Sequence, residues 1–274
     1  MSFFRPLILS LCLAGLAASP VFAAEIEKIV HKIKPRPGIY LKMLAFDPGG
    51  AKAVAVLFPG GSGLVMIKNN GKFKGTKGNT LTRSRKKFVA NGLVTVLIDA
   101  ASDHREGEGL TFKYRMTEEH ADDIRRAIRR LRKKYPGLPV WLVGHSRGST
   151  SVANVAANIK EGGPDGVVLL ASLGVPNKHG GNVLDFNLGG IAIPVLVVHH
   201  NDDGCKVTTV TGAKDIKAAL TGSKAAELMI FEGCSSGNGK ECGAKSHHGF
   251  LGLEKKVVNA VSDWIKSHRI TGKF

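Results

Sequence analysis

The chain predicts an α/β protein built on one mostly parallel sheet with helices on both faces. Three observations carry that expectation. Short apolar runs rich in Val, Ile and Leu recur along the sequence, too continuous for strands with one face in water. Stretches with helical spacing of apolar residues separate them, which is the rhythm of βαβ units. The two earliest extended segments instead alternate apolar with charged residues, as a hairpin at one sheet edge would.

In chain order, residues 1–23 read first as an export signal. Arg5 supplies the positive charge, Leu7 to Ala18 is an apolar run shorter than the roughly 20 residues of a membrane span, and Val21-Phe22-Ala23 offers a cleavage site after Ala23. Cys12 does not mark a lipoprotein, because Leu11 stands where lipid attachment needs a small side chain. No later apolar run has the length of a membrane span, so residues 24–274 are expected to form a single exported domain, periplasmic or secreted.

The edge hairpin falls on Ile26 to Ile33 and Ile39 to Phe46. Buried strands follow at Ala53 to Phe58, Leu93 to Asp99, Val140 to Gly144, Gly166 to Ala171, Val195 to His199 and Leu228 to Phe231. Lys68 to Lys87 is glycine-rich and basic, a long loop entering a helix near Leu81. Thr117 can cap a helix with the apolar stripe Ala121, Ile124, Ala127, Ile128 and Leu131, acidic at its start, basic at its end and stopped by Pro136-Gly137. Further helices are expected over Ser149 to Ile159 and from about Leu251 to His268. Ser172 to Ala192 has five glycines and only two apolar patches, too little for a helical cap. The site should therefore be open, with Val183, Leu184 and Phe186 as a short apolar rim and the Lys68 to Lys87 loop as a second wall.

The chemistry begins at Gly144-His145-Ser146-Arg147-Gly148, a Gly-x-Ser-x-Gly pattern. With 34 glycines in the chain the pattern alone is weak, but it follows a buried strand and opens a helix. So sharp a turn crowds the backbone, demands small neighbours and projects the serine hydroxyl above the sheet. An acyl-transfer site also needs N–H donors for the oxyanion. Pro59-Gly60-Gly61-Ser62-Gly63 follows the strand ending at Phe58, which makes Gly61 and Arg147 the expected donors. Downstream, His199-His200-Asn201-Asp202-Asp203 ends one strand and Ser246-His247-His248-Gly249-Phe250 follows another. Both lie at carboxyl ends of expected parallel strands, the edge where ligands collect.

With its Ser, Asp, His order, the sequence resembles the α/β-hydrolase superfamily over nearly all of residues 24–274. The resemblance implies Ser146 as nucleophile, Asp203 as acid and His248 as base, with Asp202 and His247 as alternatives. Asn79-Thr80-Leu81-Thr82-Arg83-Ser84 and Asp99 to His104 resemble, more narrowly, a group of exported bacterial hydrolases, a likeness that brings no substrate with it. The implied reaction is ester hydrolysis, or amide hydrolysis, through an acyl-enzyme on a small or polymeric ester, with no cofactor.

Cysteine and charge remain. Loss of Cys12 with the signal leaves Cys205, Cys234 and Cys242 in an oxidising compartment, so one bond and one free thiol are expected. If acid and base meet, Cys205 and Cys242 are brought together; the rival pairing joins Cys234 to Cys242. The histidine pairs, aspartates and cysteines lack His-x-x-x-His or Cys-x-x-Cys spacing, so no metal site is expected. The net charge of +17 suits solvated helix faces, an anionic surface or a polyanion. Aromatics at 6% do not interleave with the basic residues, which speaks against specific nucleic-acid binding. The competing class is thus a non-catalytic basic protein that grips a polyanion on the same fold.

Overall fold

The computed structural model describes residues 25–176, 180–234 and 237–268. The expected export signal, residues 1–23, lies outside them. One eight-stranded sheet runs in the order β1-β2-β4-β3-β5-β6-β7-β8. Strands β1 (Glu27–Arg36) and β2 (Ile39–Asp47) form the antiparallel hairpin at one edge, and β2 joins β4 antiparallel. The remaining strands are parallel: β3 (Val54–Phe58), β4 (Val94–Ile98), β5 (Val140–His145), β6 (Gly166–Leu170), β7 (Val195–His200) and β8 (Ala226–Phe231).

Every residue of β3, β4, β5, β6 and β7 is buried, as the continuous apolar runs require. Their side chains alternate between two cores. Val54, Val56 and Phe58 face helices α3 (Glu118–Lys134), α4 (Arg147–Asn158) and α5 (Val210–Ala219). Ala55 and Leu57 face helices α1 (Thr80–Ala90) and α6 (Glu254–Ser267). Strand β8 corrects the expectation of a buried segment at Leu228 to Phe231. It begins two residues earlier and closes the far edge, so only Phe231 is buried along it. The last helix starts at Glu254, because Leu251 to Leu253 form turns after the left-handed Phe250.

The caps follow local chemistry. Thr117 Oγ1 accepts the His120 N–H at 3.2 Å, and Asn79 Oδ1 accepts the Leu81 N–H at 3.0 Å. Buried Asp99, just past β4, organises the start of the long loop. Its carboxylate accepts the N–H groups of Val65, Met66, Ile67 and Ala100 at 2.9–3.0 Å and pairs with Arg105 at 3.1 Å. A buried carboxylate satisfied by four main-chain donors and a guanidinium fixes where that loop leaves the sheet edge.

Candidate active site

Ser146 is the hinge between β5 and α4, with φ 54° and ψ −128°. A non-glycine residue rarely adopts that conformation, and it persists because its surroundings over-determine it. Ser146 N–H donates to Leu170 O at 3.0 Å, and Ser146 O accepts from Ser149 N–H at 2.8 Å and Ser149 Oγ at 2.7 Å. The flanking glycines are required by close approach. A Cβ on Gly148 would run into Phe58 O, and one on Gly144 would sit 2.6 Å from Gly148 O.

Above β3, the Pro59–Gly63 loop faces this turn. A Cβ on Gly60 would lie 2.8 Å from Ser146 Cβ, so only glycine lets the loop come this near. Gly61 has φ +63°, and the loop folds back on itself through Gly63 N–H to Gly60 O at 3.3 Å. Ser146 and the loop residues Gly60, Gly61 and Ser62 border a cavity of about 310 Å³, with His248 on its wall. Thr76 and Asn79, from the long loop, supply another side.

The loops that carry Asp203 and His248 meet at the sheet edge. His248 Nδ1 lies 3.0 Å from Asp203 Oδ2, with both side chains at 1% exposure or less. That carboxylate also accepts Thr208 Oγ1 at 2.9 Å and Cys205 N–H at 2.9 Å. Burial pushes the Asp203 carboxyl up, but the hydrogen bond and charge of His248, with the Cys205 N–H, hold it below the usual carboxylate range. Asp203 therefore stays ionised and fixes the ring with Nδ1 toward itself, leaving Nε2 for the cavity. No hydrogen bond joins Ser146 Oγ to His248 here; such bonds often tighten only with substrate bound.

The alternatives are placed elsewhere. Asp202 is exposed and its side chain contacts Asn201. His247 stacks on His200 at 4.4 Å, with its ring nitrogens on Asp202 O and Cys234 O. His200, Asp202 and His247 are close enough to hold a metal ion, but all four imidazole nitrogens already bond main-chain atoms. Asp103 and His104, which end the Asp99 to His104 run, do not border the cavity. The first pairs with Arg36 and the second stacks on Tyr114. The expected apolar rim is also corrected: Val183 is fully buried, and Leu184 and Phe186 pack on the α3–α5 core, not on the cavity. The Asn182 and Asn187 caps turn this segment down onto the domain.

Cys205 and Cys242 form a disulfide and Cys234 is free. The bond ties the loop of Asp203 to the loop of His248, and closing a loop of this size typically contributes about 2–4 kcal/mol. Cys242 and Ala244 also border the cavity, so the bond stiffens a wall of the site.

Among the described residues, four histidines outside the Asp203–His248 pair are held neutral. His145 and His120 are each lowered to about 3, by burial first and then by neighbouring His248 and Arg115 respectively. His31 and His199 are lowered as well, again chiefly by burial. His145 Nε2–H donates to His248 O at 2.8 Å, anchoring the main chain of His248. Unfolded, each ring takes a proton near its ordinary value of 6.5, so between 6.5 and about 3 the unfolded chain binds more protons. Stability is therefore expected to fall steadily as pH drops below about 6.5, measured as Tm across a pH series. A Tm flat from pH 7 to pH 4 would contradict the neutral assignments.

Thr208, His199 and Arg115 also touch residues of the site, and the sequence motifs above give none of the three a role. Thr208 sits five residues after Asp203, a spacing that a search for a supporting hydroxyl could have found. His199 is fully buried with Nε2 at 3.6 Å from Asp203 Oδ2. Arg115 carries no local signal.

Residues 79–207 match the Hydrolase_4 family (serine aminopeptidase, S33), less than half of the chain and a span that includes Ser146 and Asp203 but not His248. No curated protein sequence matches. Among solved structures, a dienelactone hydrolase from Anabaena variabilis is similar at 18% identity and TM-score 0.63, over 89% of this chain and 99% of that one. An esterase of Pyrococcus furiosus is similar at 13% identity and TM-score 0.61, over 89% and 93%. A zinc-bound cold-adapted esterase from an Arctic intertidal metagenomic library is similar at 13% identity and TM-score 0.59, over 89% and 94%. With the strand order above, these likenesses establish the α/β-hydrolase fold.

Proposed function

We propose that this protein is an exported serine hydrolase of the carboxylesterase kind, acting through an acyl-enzyme. One observation carries the reading: a strained serine at a strand-to-helix turn shares a cavity with a histidine whose far nitrogen is held by a buried carboxylate. A hydroxyl is a poor nucleophile without a base, and this arrangement supplies one. In the reaction, Ser146 Oγ attacks the ester carbonyl while His248 Nε2 takes its proton. Asp203 stabilises the imidazolium that forms. The N–H groups of Gly61 and Arg147 receive the developing oxyanion, and His248 then protonates the leaving alcohol. Water repeats the sequence on the acyl-enzyme. The disulfide is consistent with an oxidising compartment, and hence with export.

The substrate reading follows from the cavity wall. Glycines, Ser62, Thr76, Asn79, Cys242 and Ala244 border it, and among the described residues no Leu, Val or Phe side chain does. Beyond Ala244 and Cys242 of the disulfide, a long acyl chain would find no extended apolar surface to leave water for, so short esters are preferred. On p-nitrophenyl esters, kcat/KM is expected to be highest for acetate or butyrate and to fall by roughly tenfold or more at decanoate. A rise with chain length would overturn the substrate reading.

A further inference from the structure

Arg115 belongs to the four-residue helix α2 (Phe112–Arg115) and has 0% exposure. No carboxylate pairs with it among the described residues. Its guanidinium donates instead to neutral acceptors: Leu110 O at 3.1 Å, Ser151 Oγ at 2.7 Å, Gly61 O at 3.3 Å and Pro59 O at 3.5 Å. Burial, and then the nearby charge of Arg147, pull its pKa down. A buried cation without a counter-ion costs free energy that an apolar side chain of the same size would not, so its retention calls for a role beyond filling space.

Its partners show what that role is. Pro59 O and Gly61 O belong to the glycine loop facing Ser146, and Ser151 lies in α4, the helix that Ser146 opens. One rigid, planar fork thus ties the loop to the nucleophile's helix. No peptide bond in the described chain is cis, so each peptide whose carbonyl Arg115 holds has its N–H aimed the opposite way. The Gly61 N–H lies between the two held peptide units, which set its direction. The same short helix also holds the side chain of Arg147, whose guanidinium lies 4.4 Å over the Phe112 ring. The loop wraps the guanidinium closely, since a Cβ on Gly63 would sit 2.6 Å from Arg115 Nη2.

We infer that Arg115 is a positioning residue for the oxyanion hole, holding the Pro59–Gly63 amides in register with Ser146. The inference rests on the serine-hydrolase reading and concerns only the half of the site that binds the oxyanion. Nothing in the Asp203–His248 pair depends on it. Neutral Ser151 extends the network rearward to His120 Nε2 at 2.9 Å, which steadies the hydroxyl that Arg115 engages.

Two substitutions test it. Arg115→Met removes the fork, and Arg115→Lys keeps the charge but reaches the loop with one point donor. On a p-nitrophenyl ester, kcat is expected to fall about 30- to 100-fold in Arg115→Met with KM within about threefold, less than the roughly 10²- to 10³-fold loss when an oxyanion donor is removed outright, because the amide is misaimed and not lost. Affinity for an aryl boronic acid, whose tetrahedral adduct places an oxygen in the hole, should fall by the same factor as kcat/KM. The acid limb of the pH profile should stay in place, because the base is untouched. Arg115→Lys should show the same pattern with a smaller loss, and it carries the test if the Met variant does not fold. Unchanged kcat and boronate affinity in a folded variant, even with lowered Tm, would overturn the inference and leave Arg115 a purely structural residue. An equal loss in kcat with a shifted acid limb would also overturn it, by placing the effect on the base. Fluorophosphonate labelling of the wild type reports separately on the hydrolase reading: an unlabelled wild type removes that reading and the inference with it, whereas a labelled wild type with an unaffected variant removes the inference alone.

Discussion

Ser146→Ala is expected to lower ester turnover on the order of 10^4- to 10^6-fold, the range seen when the nucleophile of a triad is removed. The fold should survive, because the residue's structural work is done by its main chain. Ser146 N–H and O, not the hydroxyl, bond Leu170 and Ser149. Far-UV circular dichroism and Tm should therefore match the wild type while turnover drops to what the remaining oxyanion donors and binding provide. Alanine retains the left-handed strain at φ 54°, so relief of that strain does not enter the comparison as it would with glycine. A variant that keeps more than about a hundredth of the wild-type rate would be inconsistent with Ser146 as nucleophile.

His248→Ala is expected to cost about 10^3-fold or more in kcat, because Ser146 then has no group to take its proton. The neighbouring His247→Ala provides the contrast. His247 faces Asp202 O and Cys234 O and stacks on His200, so its loss should loosen a surface turn and change turnover by only a few-fold. Kinetics on both variants decides between adjacent histidines that the sequence left open. Equal losses would mean that the ring bonded to Asp203 is not the base.

How much of this was legible in the sequence depended on how local each signal is. Strands buried on both faces announced themselves because continuous apolar runs such as Val140 to Val143 admit no solvent face. The glycine pair around Ser146 was legible for a steric reason, since any side chain at Gly148 would strike Phe58 O. Pairing Asp203 with His248 was legible only as an order along the chain. Their contact spans 45 residues and depends on two loops meeting at the sheet edge. The failures share one cause. Val183, Leu184 and Phe186 lie in a segment without period, and nothing local says that the Asn182 and Asn187 turns press them inward. Strand β8 shows the same limit, because its residues are apolar enough for a core yet form the outer edge. Arg115 was invisible altogether: a basic residue between Tyr114 and Met116 reads as solvated, and only the fold surrounds it with the carbonyls of a distant loop.

Whether Ser146 is an activated nucleophile is read most directly by peptide mapping of the wild-type protein after reaction with a fluorophosphonate. One adduct per chain on the peptide containing Ser146, formed at a rate that His248→Ala suppresses, is the predicted result. A folded protein that takes up no probe, or whose adduct lies on a residue other than Ser146, would rule out Ser146 as the nucleophile.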